Sequence, residues 1–208
     1  DENIRNSTRS TDFITPKSKV SRQFRNAALQ LARHHPFARK LVNSGRLSVP
    51  AFLVNSALNT PDADAFDGNM VPGAPMDDAP VRLGGQDAWL LDQLGNRFVL
   101  MVFADRADTL DPSWIALAGE LAAGTVPVQT LLVTAHPGAA PSGMTVLHDR
   151  DGLVAQRYDA RPGTAYLVRP DQHVAARWRR TEGGLVRAAL ARATGQTAAV
   201  AVDDTVPA

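Results

Sequence analysis

The chain has 208 residues, which suits one large domain or two small ones, and 44% of them are hydrophobic, too many for a disordered chain. Its 22 Lys and Arg residues nearly balance its 21 Asp and Glu residues, which argues against a strong field for nucleic acid or an anionic membrane. It contains no cysteine, which excludes disulfides, thiolate-bound zinc, iron–sulfur clusters and a Cys-x-x-Cys redox centre.

The sequence also carries no targeting signal that we can identify. No apolar run approaches the roughly 20 residues needed to span a bilayer. The first residues lack the basic start and apolar stretch of a secretory signal. We therefore expect a cytoplasmic protein with neither a membrane nor a nucleic acid as its partner.

The first part of the chain has the pattern of amphipathic helices. Thr15 offers a capping hydroxyl, Pro16 suits the first helical position, and apolar residues recur after them at helical spacing. This predicts a helix over 16–33 that ends before Pro36, because proline restricts the preceding residue and has no amide hydrogen. A second short helix is predicted over 37–43, closed by a Ser-Gly cap.

The composition changes over residues 60–80, where proline, glycine and aspartate interrupt any apolar periodicity. We interpret this stretch as a linker or an ordered loop joining two units. After it, apolar runs typical of buried strands alternate with helical patterns. These patterns predict strands over 97–104 and 126–133, helices over 112–123 and 185–193, a short helical stretch over 149–158, and a β-hairpin formed by 164–168 and 173–178.

The predicted order is β-α-β-α-β-β-α, in which strand–helix–strand units pair in parallel and the hairpin adds antiparallel strands. This is the order of a thioredoxin-like α/β fold with a mixed sheet, preceded here by a short helical segment. Pro162 stands where that fold carries a cis-proline, so we predict a cis bond there. We divide the chain into a helical segment (1–59), a linker (60–80), the thioredoxin-like domain (81–196) and a flexible tail (197–208).

No motif provides a complete active site. In a redox thioredoxin the reactive cysteines follow the first central strand, and here residues 105–109 occupy that place. Thr109 offers the only nucleophile among them, and no histidine lies near it in sequence to activate its hydroxyl. A polar loop is therefore favoured, and we assign no catalytic residue.

No group of residues has the spacing of a metal site either. The acidic series Asp62, Asp64 and Asp67 suggests calcium. However, Phe66 and Gly73 stand where a helix–loop–helix calcium site needs an acid or amide and a glutamate, so a solvated loop is favoured. The five histidines of the chain are scattered without ligand spacing.

Two histidine pairings nevertheless need a structural interpretation. His34 and His35 are neighbours on the predicted first helix or its end, so their rings diverge and cannot share one metal directly. His148 and Asp149 have the chemistry of an acid–base pair, but we expect Asp149 to cap the following helix. Neither pairing is assigned a catalytic role.

The basic and glycine-rich motifs are equally weak as functional signals. The run 177–180, Arg-Trp-Arg-Arg, combines charge with an aromatic ring as nucleic-acid binders do. At a strand end it is more typical of an edge strand protected by charges. The pairs Gly84–Gly85 and Gly183–Gly184 have neither the spacing nor the following lysine of a phosphate-binding loop.

Four stretches together resemble one family. Residues 1–18 and 35–48, the latter reading HPFARKLVNSGRLS, look like segments that flank the end of a flavin domain. Residues 71–95 and the hairpin stretch 166–177, YLVRPDQHVAAR, look like parts of a C-terminal thioredoxin-like domain. In this order and spacing they resemble FAD-dependent aromatic-ring hydroxylases, and within these the 3-(3-hydroxyphenyl)propionate hydroxylase-like branch.

The departures from that family decide what the resemblance implies. Family members carry an N-terminal Gly-x-Gly-x-x-Gly dinucleotide fold and a later Gly-Asp motif that contacts the flavin, and neither occurs in this sequence. The resemblance therefore implies the C-terminal portion of a monooxygenase that uses FAD and NAD(P)H, with no catalytic residue of its own. Its implied partner is the N-terminal FAD-binding domain of the same protein, and a second copy of the chain is a further candidate partner.

Two alternatives remain at the level of the sequence. The chain can be a stand-alone binding or assembly module that keeps a thioredoxin-like fold without redox function. It can also be a cysteine-independent enzyme on this fold, which would need His, Asp and Arg side chains clustered in one pocket. The coding sequence upstream of Asp1 discriminates the first alternative from the flavoprotein hypothesis.

Overall fold

The computed structural model describes residues 8, 11–35 and 51–196. The second helix predicted over 37–43 and the flexible tail predicted over 197–208 lie outside the described residues. None of the helices in the described part has the length and apolar content that a bilayer crossing requires.

The helix of the N-terminal unit begins later than its sequence pattern suggested. Helix α1 covers Lys19–His34, whereas residues 16–33 were expected. Ser18 is its N-cap, because the Ser18 hydroxyl accepts a hydrogen bond from the N–H of Ser21 at 3.0 Å. Thr15, the expected cap, instead donates its hydroxyl to a main-chain carbonyl four residues earlier, at 2.7 Å. A serine nearer to the apolar stripe thus replaces it.

The C-terminal unit, residues 52–208, contains a single seven-stranded mixed sheet within its described part. In chain order its elements are β1 (Pro80–Leu83), β2 (Gln86–Trp89), β3 (Phe98–Ala104), α2 (Pro112–Ala122), β4 (Val128–Thr134), β5 (Met144–His148), α3 (Leu153–Arg157), β6 (Ala165–Val168), β7 (Val174–Trp178) and α4 (Gly183–Ala193). The strands lie in the order β2-β1-β5-β4-β3-β6-β7.

The predicted thioredoxin-like fold is confirmed in the centre of this sheet. Strand β3 pairs in parallel with β4 across the helix α2, and antiparallel with β6 on its other side. Strand β7 completes the hairpin beside β6, and α4 follows it. The apolar runs predicted both central strands within two residues at each end, because a strand buried on both faces needs apolar side chains throughout.

Three strands were missed from the sequence: β1, β2 and β5. The first two are strands of four residues each, and they form a hairpin around Gly84 and Gly85. Both glycines take positive φ angles, +58° and +83°. They contain polar residues such as Gln86 and Asp87 and lie at the margin of the sheet, so they lack the apolar run that marked the central strands. Strand β5 pairs in parallel with β4 and antiparallel with β1, and thereby joins the hairpin to the core.

The sheet has a hydrophobic core on each face. Alternate residues of β3 belong to different cores: Phe98, Leu100 and Val102 lie on the side of α2 and α4, and Val99, Met101 and Phe103 on the side of α3. This alternation follows from the two-residue period of a strand. The sheet is therefore a rigid central layer between two packed layers.

The outer side of β7 is covered by chain that precedes the sheet. We call residues 60–76 the edge segment. The Thr60 N–H donates to the carbonyl of Ala175 at 2.9 Å. The Gly73 N–H donates to the carbonyl of Val174 at 2.7 Å, and the Val174 N–H donates to the carbonyl of Ala74 at 2.9 Å. These bonds occupy main-chain groups that an outermost strand otherwise leaves unpaired.

The predicted cis bond before Pro162 is wrong, since the described residues contain no cis peptide. The turn is made instead by Gly163, whose φ of +94° is in the left-handed region that glycine tolerates. The Gly163 N–H donates to the carbonyl of Phe103 at 2.8 Å, and the Thr164 N–H donates to the carbonyl of Arg161 at 2.9 Å. A trans bond is sufficient because glycine reverses the chain.

Candidate functional site

The carboxyl ends of β3 and β4 are the place where this fold can carry a reactive group. Asp105 follows β3 and His136 follows β4, and parallel pairing brings their side chains together. The His136 Nε2 lies 3.7 Å from the Asp105 Oδ1, and both side chains are more than half exposed, at 59% and 57%. This is a solvent-accessible pair with weak mutual interaction.

The loop that follows β3 uses its polar groups to hold its own conformation. The Arg106 guanidinium binds both carboxylate oxygens of Asp108 at 2.9 Å, and this hydrogen bonding lowers the pKa of Asp108 and raises the pKa of Arg106. The Thr109 hydroxyl donates to the carbonyl of Arg106 at 3.0 Å. Its proton therefore points to a main-chain acceptor, so no neighbouring base activates Thr109 as a nucleophile.

The next residues of this loop serve the helix α2. The Asp111 carboxylate accepts the N–H of Ser113 at 2.8 Å, and this bond lowers the pKa of Asp111. Pro112 occupies the first helical position, as the sequence predicted. Asp111 is thus a capping residue, and its charge favours the positive end of the helix dipole.

Asp149 caps the helix α3, as expected from the sequence. Its carboxylate oxygens accept the N–H groups of Val154 at 3.2 Å and Ala155 at 2.8 Å, and the residue is buried. The adjacent His148 instead places its Nε2 3.2 Å from the carbonyl oxygen of Ala135. Both groups therefore have main-chain partners.

The acidic series at the start of the edge segment contacts β7 and the residue that follows it. Asp62 binds the Arg177 guanidinium through both carboxylate oxygens, at 2.6–3.2 Å. The Asp64 carboxylate accepts the N–H of Arg179 at 2.8 Å. These aspartates are 115 residues away from their partners in sequence, so no local motif revealed the pairing. They attach the edge segment to the sheet.

An aromatic ring joins the two arginines of this cluster. The guanidinium carbons of Arg177 and Arg179 lie 4.3 and 3.8 Å from the ring centroid of Phe66, within cation–π range. The Arg177 side chain is only 3% exposed. Burial opposes its charge, but the hydrogen bonds and the negative charge of Asp62 outweigh burial and keep the pKa of Arg177 above its ordinary value.

The same cluster continues into the core through Tyr166. Its hydroxyl donates to the carbonyl of Tyr158, and the two rings meet edge to face with centroids 5.4 Å apart. Burial raises the pKa of Tyr166 to about 12. Burial also raises the pKa of Tyr158, so both hydroxyls are protonated and donate hydrogen bonds to main-chain carbonyls at neutral pH.

The remaining histidines lie at the end of α1 and in the β6–β7 turn. His34 ends α1, and the N–H of His35 donates to the carbonyl of Leu31 at 2.9 Å. His173, in the β6–β7 turn, lies 3.4 Å from the Asp171 carboxylate. Across residues 8, 11–35 and 51–196, no three His, Cys, Asp or Glu side chains are grouped to hold a metal ion.

The glycine pairs lie in places that do not fit a dinucleotide such as FAD. Gly84 and Gly85 form the turn of the β1–β2 hairpin and do not open a helix, although a cleft of about 590 Å³ adjoins them. Gly183 begins α4, but the Arg187 Nη1 lies 2.9 Å from the position that a Cβ would take there. The Arg187 side chain therefore occupies the space beside that glycine.

Comparisons with known proteins give the family of the chain and proteins with a similar fold. The model of one family, described as the HcaD C-terminal domain, matches residues 77–193. The fold is similar to that of the flavin-dependent monooxygenase PieE, with 24% identity and a TM-score of 0.55 over 89% of this chain and 32% of that one. It is also similar to aklavinone-11 hydroxylase, with 21% identity and a TM-score of 0.50 over 81% of this chain and 33% of that one.

These two solved structures are much longer than the present chain, which spans about a third of each. They were determined with FAD and, respectively, a substrate and aklavinone. No curated protein matches the sequence significantly.

Proposed function

Because the chain belongs to the HcaD C-terminal domain family, we propose that it is the C-terminal region of an FAD-dependent aromatic monooxygenase. The family match over residues 77–193 carries this proposal, and the fold shared with a flavin-dependent monooxygenase and with a hydroxylase that binds FAD supports it. The parent protein would use FAD and NAD(P)H to hydroxylate an aromatic ring, and the flavin would supply the oxygen chemistry.

The role that we propose for this region is architectural. The place where a redox thioredoxin carries its cysteines is filled by residues 105–109, in which Arg106 pairs with Asp108 and the Thr109 hydroxyl donates to main chain. The sequence has no cysteine to supply such chemistry elsewhere. Residues 81–196 would therefore form a thioredoxin-like domain that contributes packing surface and no catalytic side chain.

The partners follow from this role. We propose that the region packs against the N-terminal FAD-binding domain of the same protein, and that a second copy of the protein is a further partner. The near balance of charge gives no general attraction to nucleic acid or an anionic membrane. A cysteine-free protein of this class fits the cytoplasm.

A flavin-retention experiment tests whether FAD binds to this region or only to the proposed N-terminal domain. The purified chain is incubated with FAD and passed through a gel-filtration column, and its visible absorbance is recorded. We expect no flavin to elute with the protein, because Gly84 lies in a hairpin turn and the Arg187 side chain lies over Gly183 at the start of α4. A yellow protein peak with stoichiometric flavin would overturn the proposed non-catalytic role.

The gene supplies the complementary test. We expect the coding sequence upstream of Asp1 to encode a Gly-x-Gly-x-x-Gly strand–turn–helix and a later Gly-Asp motif. A start codon directly before Asp1, within a gene that encodes only these residues, would instead support a stand-alone binding or assembly module.

A further inference from the structure

A concave, positively charged site lies beside the turn that precedes β6. It has a volume of about 550 Å³, within the size range of small-molecule sites. The turn contributes Arg161 and Pro162, the chain after β7 contributes Arg179 and Arg180, and the edge segment contributes Asp64. The site thus forms where three separate parts of the chain meet, at the same end of the sheet as Asp105.

The carboxylates at this site are already engaged. Asp64 accepts the N–H of Arg179 at 2.8 Å. The neighbouring Asp159 accepts the N–H of Asp67 at 2.7 Å and pairs with the Arg179 guanidinium. The Asp67 N–H lowers the pKa of Asp159 most, burial partly opposes this shift, and Arg179 and then the charge of Arg161 lower the pKa further. Arg179 therefore engages both acids, since its main-chain N–H binds Asp64 and its guanidinium pairs with Asp159.

Two guanidinium groups at this site have no direct contact partner among the described residues. The side chains of Arg161 and Arg180 make no hydrogen bond and no ion pair within 4.0 Å of any residue that the structure describes. Both residues are exposed, so they are hydrated and available to a ligand. Each guanidinium presents a planar set of N–H donors whose geometry matches two oxygens of a phosphate.

The backbone beneath Arg161 is fixed in place. Its N–H donates to the Thr164 hydroxyl at 3.2 Å, and its carbonyl accepts the Thr164 N–H at 2.9 Å. The adjacent Gly163 is bonded to the carboxyl end of β3. Arg180 directly follows Arg179, which is held at both its main chain and its side chain. Less conformational entropy is lost on binding when the supporting backbone is ordered beforehand.

We propose that Arg161 and Arg180 bind the phosphate group of a small molecule in this site. The phosphate would lie between the two guanidinium groups, with Pro162 forming one wall. This proposal does not depend on the flavoprotein hypothesis, since it concerns an exposed surface of the described chain. It also gives a role to Arg180, the last residue of the basic run 177–180. Arg180 lies beyond the end of β7, so protection of that strand by charge does not explain it.

Calorimetric titration of the full 208-residue chain with inorganic phosphate at low ionic strength tests the site. We expect saturable binding that weakens about tenfold in Arg161→Gln and in Arg180→Gln, since each loses one charge-assisted contact. The double variant should bind no phosphate. The matched control is Arg192→Gln, which removes an exposed arginine from the end of α4 and should leave the affinity unchanged.

Parallel titrations distinguish the sources of the phosphate group. If 5′-AMP binds more tightly than inorganic phosphate, the ligand of the site is a nucleotide. If the two bind equally, the ligand is phosphate itself. Either result supports the site. Acetate of equal affinity would overturn the phosphate assignment. Absence of binding, or an equal loss in Arg192→Gln, would overturn the site as a whole, because the attraction would then be absent or diffuse. Circular dichroism of each variant verifies that its fold is retained.

Discussion

The two outer strands of the sheet differ in how their free sides are protected. Strand β7 is covered by the edge segment, which bonds to its main chain and pairs Asp62 with the buried Arg177. Strand β2 has no such cover among the described residues, and Trp89 at its end is 52% exposed. Its ion pair across the hairpin, Arg82 with Asp87, lies in solvent.

This difference separates two solutions to the same physical problem. A free strand edge invites pairing with another chain, and it can be covered or kept short and polar. The β2 edge is short and carries a charge, whereas the β7 edge is longer and depends on the edge segment. The covered edge is therefore the one whose stability depends on specific side chains.

The largest expected effect is at Gly73, where the edge segment approaches its neighbours most closely. Its φ is +90°, and a Cβ there would lie 2.5 Å from the carbonyl group of Leu53 and 2.7 Å from the side chain of Asn59. We expect Gly73→Ala to lower the free energy of unfolding by about 4 kcal/mol, because backbone strain and overpacking each contribute about 2 kcal/mol. Urea denaturation followed by circular dichroism measures the loss.

The matched control is Gly85→Ala in the hairpin of the open edge. Its φ of +83° is similar, but no atom lies within 4 Å of the Cβ position. We therefore expect a loss of only about 1 kcal/mol from the backbone conformation alone. Equal losses at the two glycines would show that the close packing of the edge segment contributes nothing to stability.

The second largest effect on stability is expected at the ion pairs of the two edges. In Asp62→Ala, the Arg177 guanidinium loses its carboxylate while only 3% of its side chain is exposed, so we expect a loss of about 3 kcal/mol. In Asp87→Ala, the lost pair is solvent-exposed, and the loss should be below about 1 kcal/mol. Thermal unfolding of both variants provides the measurement.

Hydrogen exchange locates the effect of Asp62→Ala. The N–H of Val174, which donates to the edge segment, should exchange faster, while the N–H groups of β3 should keep their protection. Unchanged exchange at Val174 would mean that the edge segment remains attached without this ion pair.

The central part of the fold was predictable because its physical signals are local. A strand buried on both faces requires an apolar run, and β3 and β4 have one. Proline at the start of α2 and the turn residues between β6 and β7 also act within a few positions. The short strands β1, β2 and β5 have no such signal, since neighbours that are distant in sequence determine their pairing.

The surroundings of Arg177 were less predictable, because its contact partners are distant in sequence. The sequence indicated a charged edge strand but showed neither Asp62 as its partner nor Phe66 between the two arginines. Those contacts arise only when the edge segment crosses β7. Asp149 was predictable as a cap because it lies within a few residues of its helix, whereas the acidic series before β1 resembled a solvated loop.

The smallest expected effect is the dependence of stability on acidic pH through Asp159. The N–H of Asp67, in the edge segment, and then the Arg179 guanidinium lower the pKa of Asp159 below its ordinary value of 3.8. The folded state thus favours the charged carboxylate, so its contribution to stability is present above about pH 4 and lost as the pH falls through the lowered pKa. We expect Asp159→Asn to be less stable than the natural chain at neutral pH and to lose less stability on acidification. Urea titrations between about pH 6 and pH 2 measure both differences, and parallel stability curves would show that Asp159 does not link the covered edge to pH.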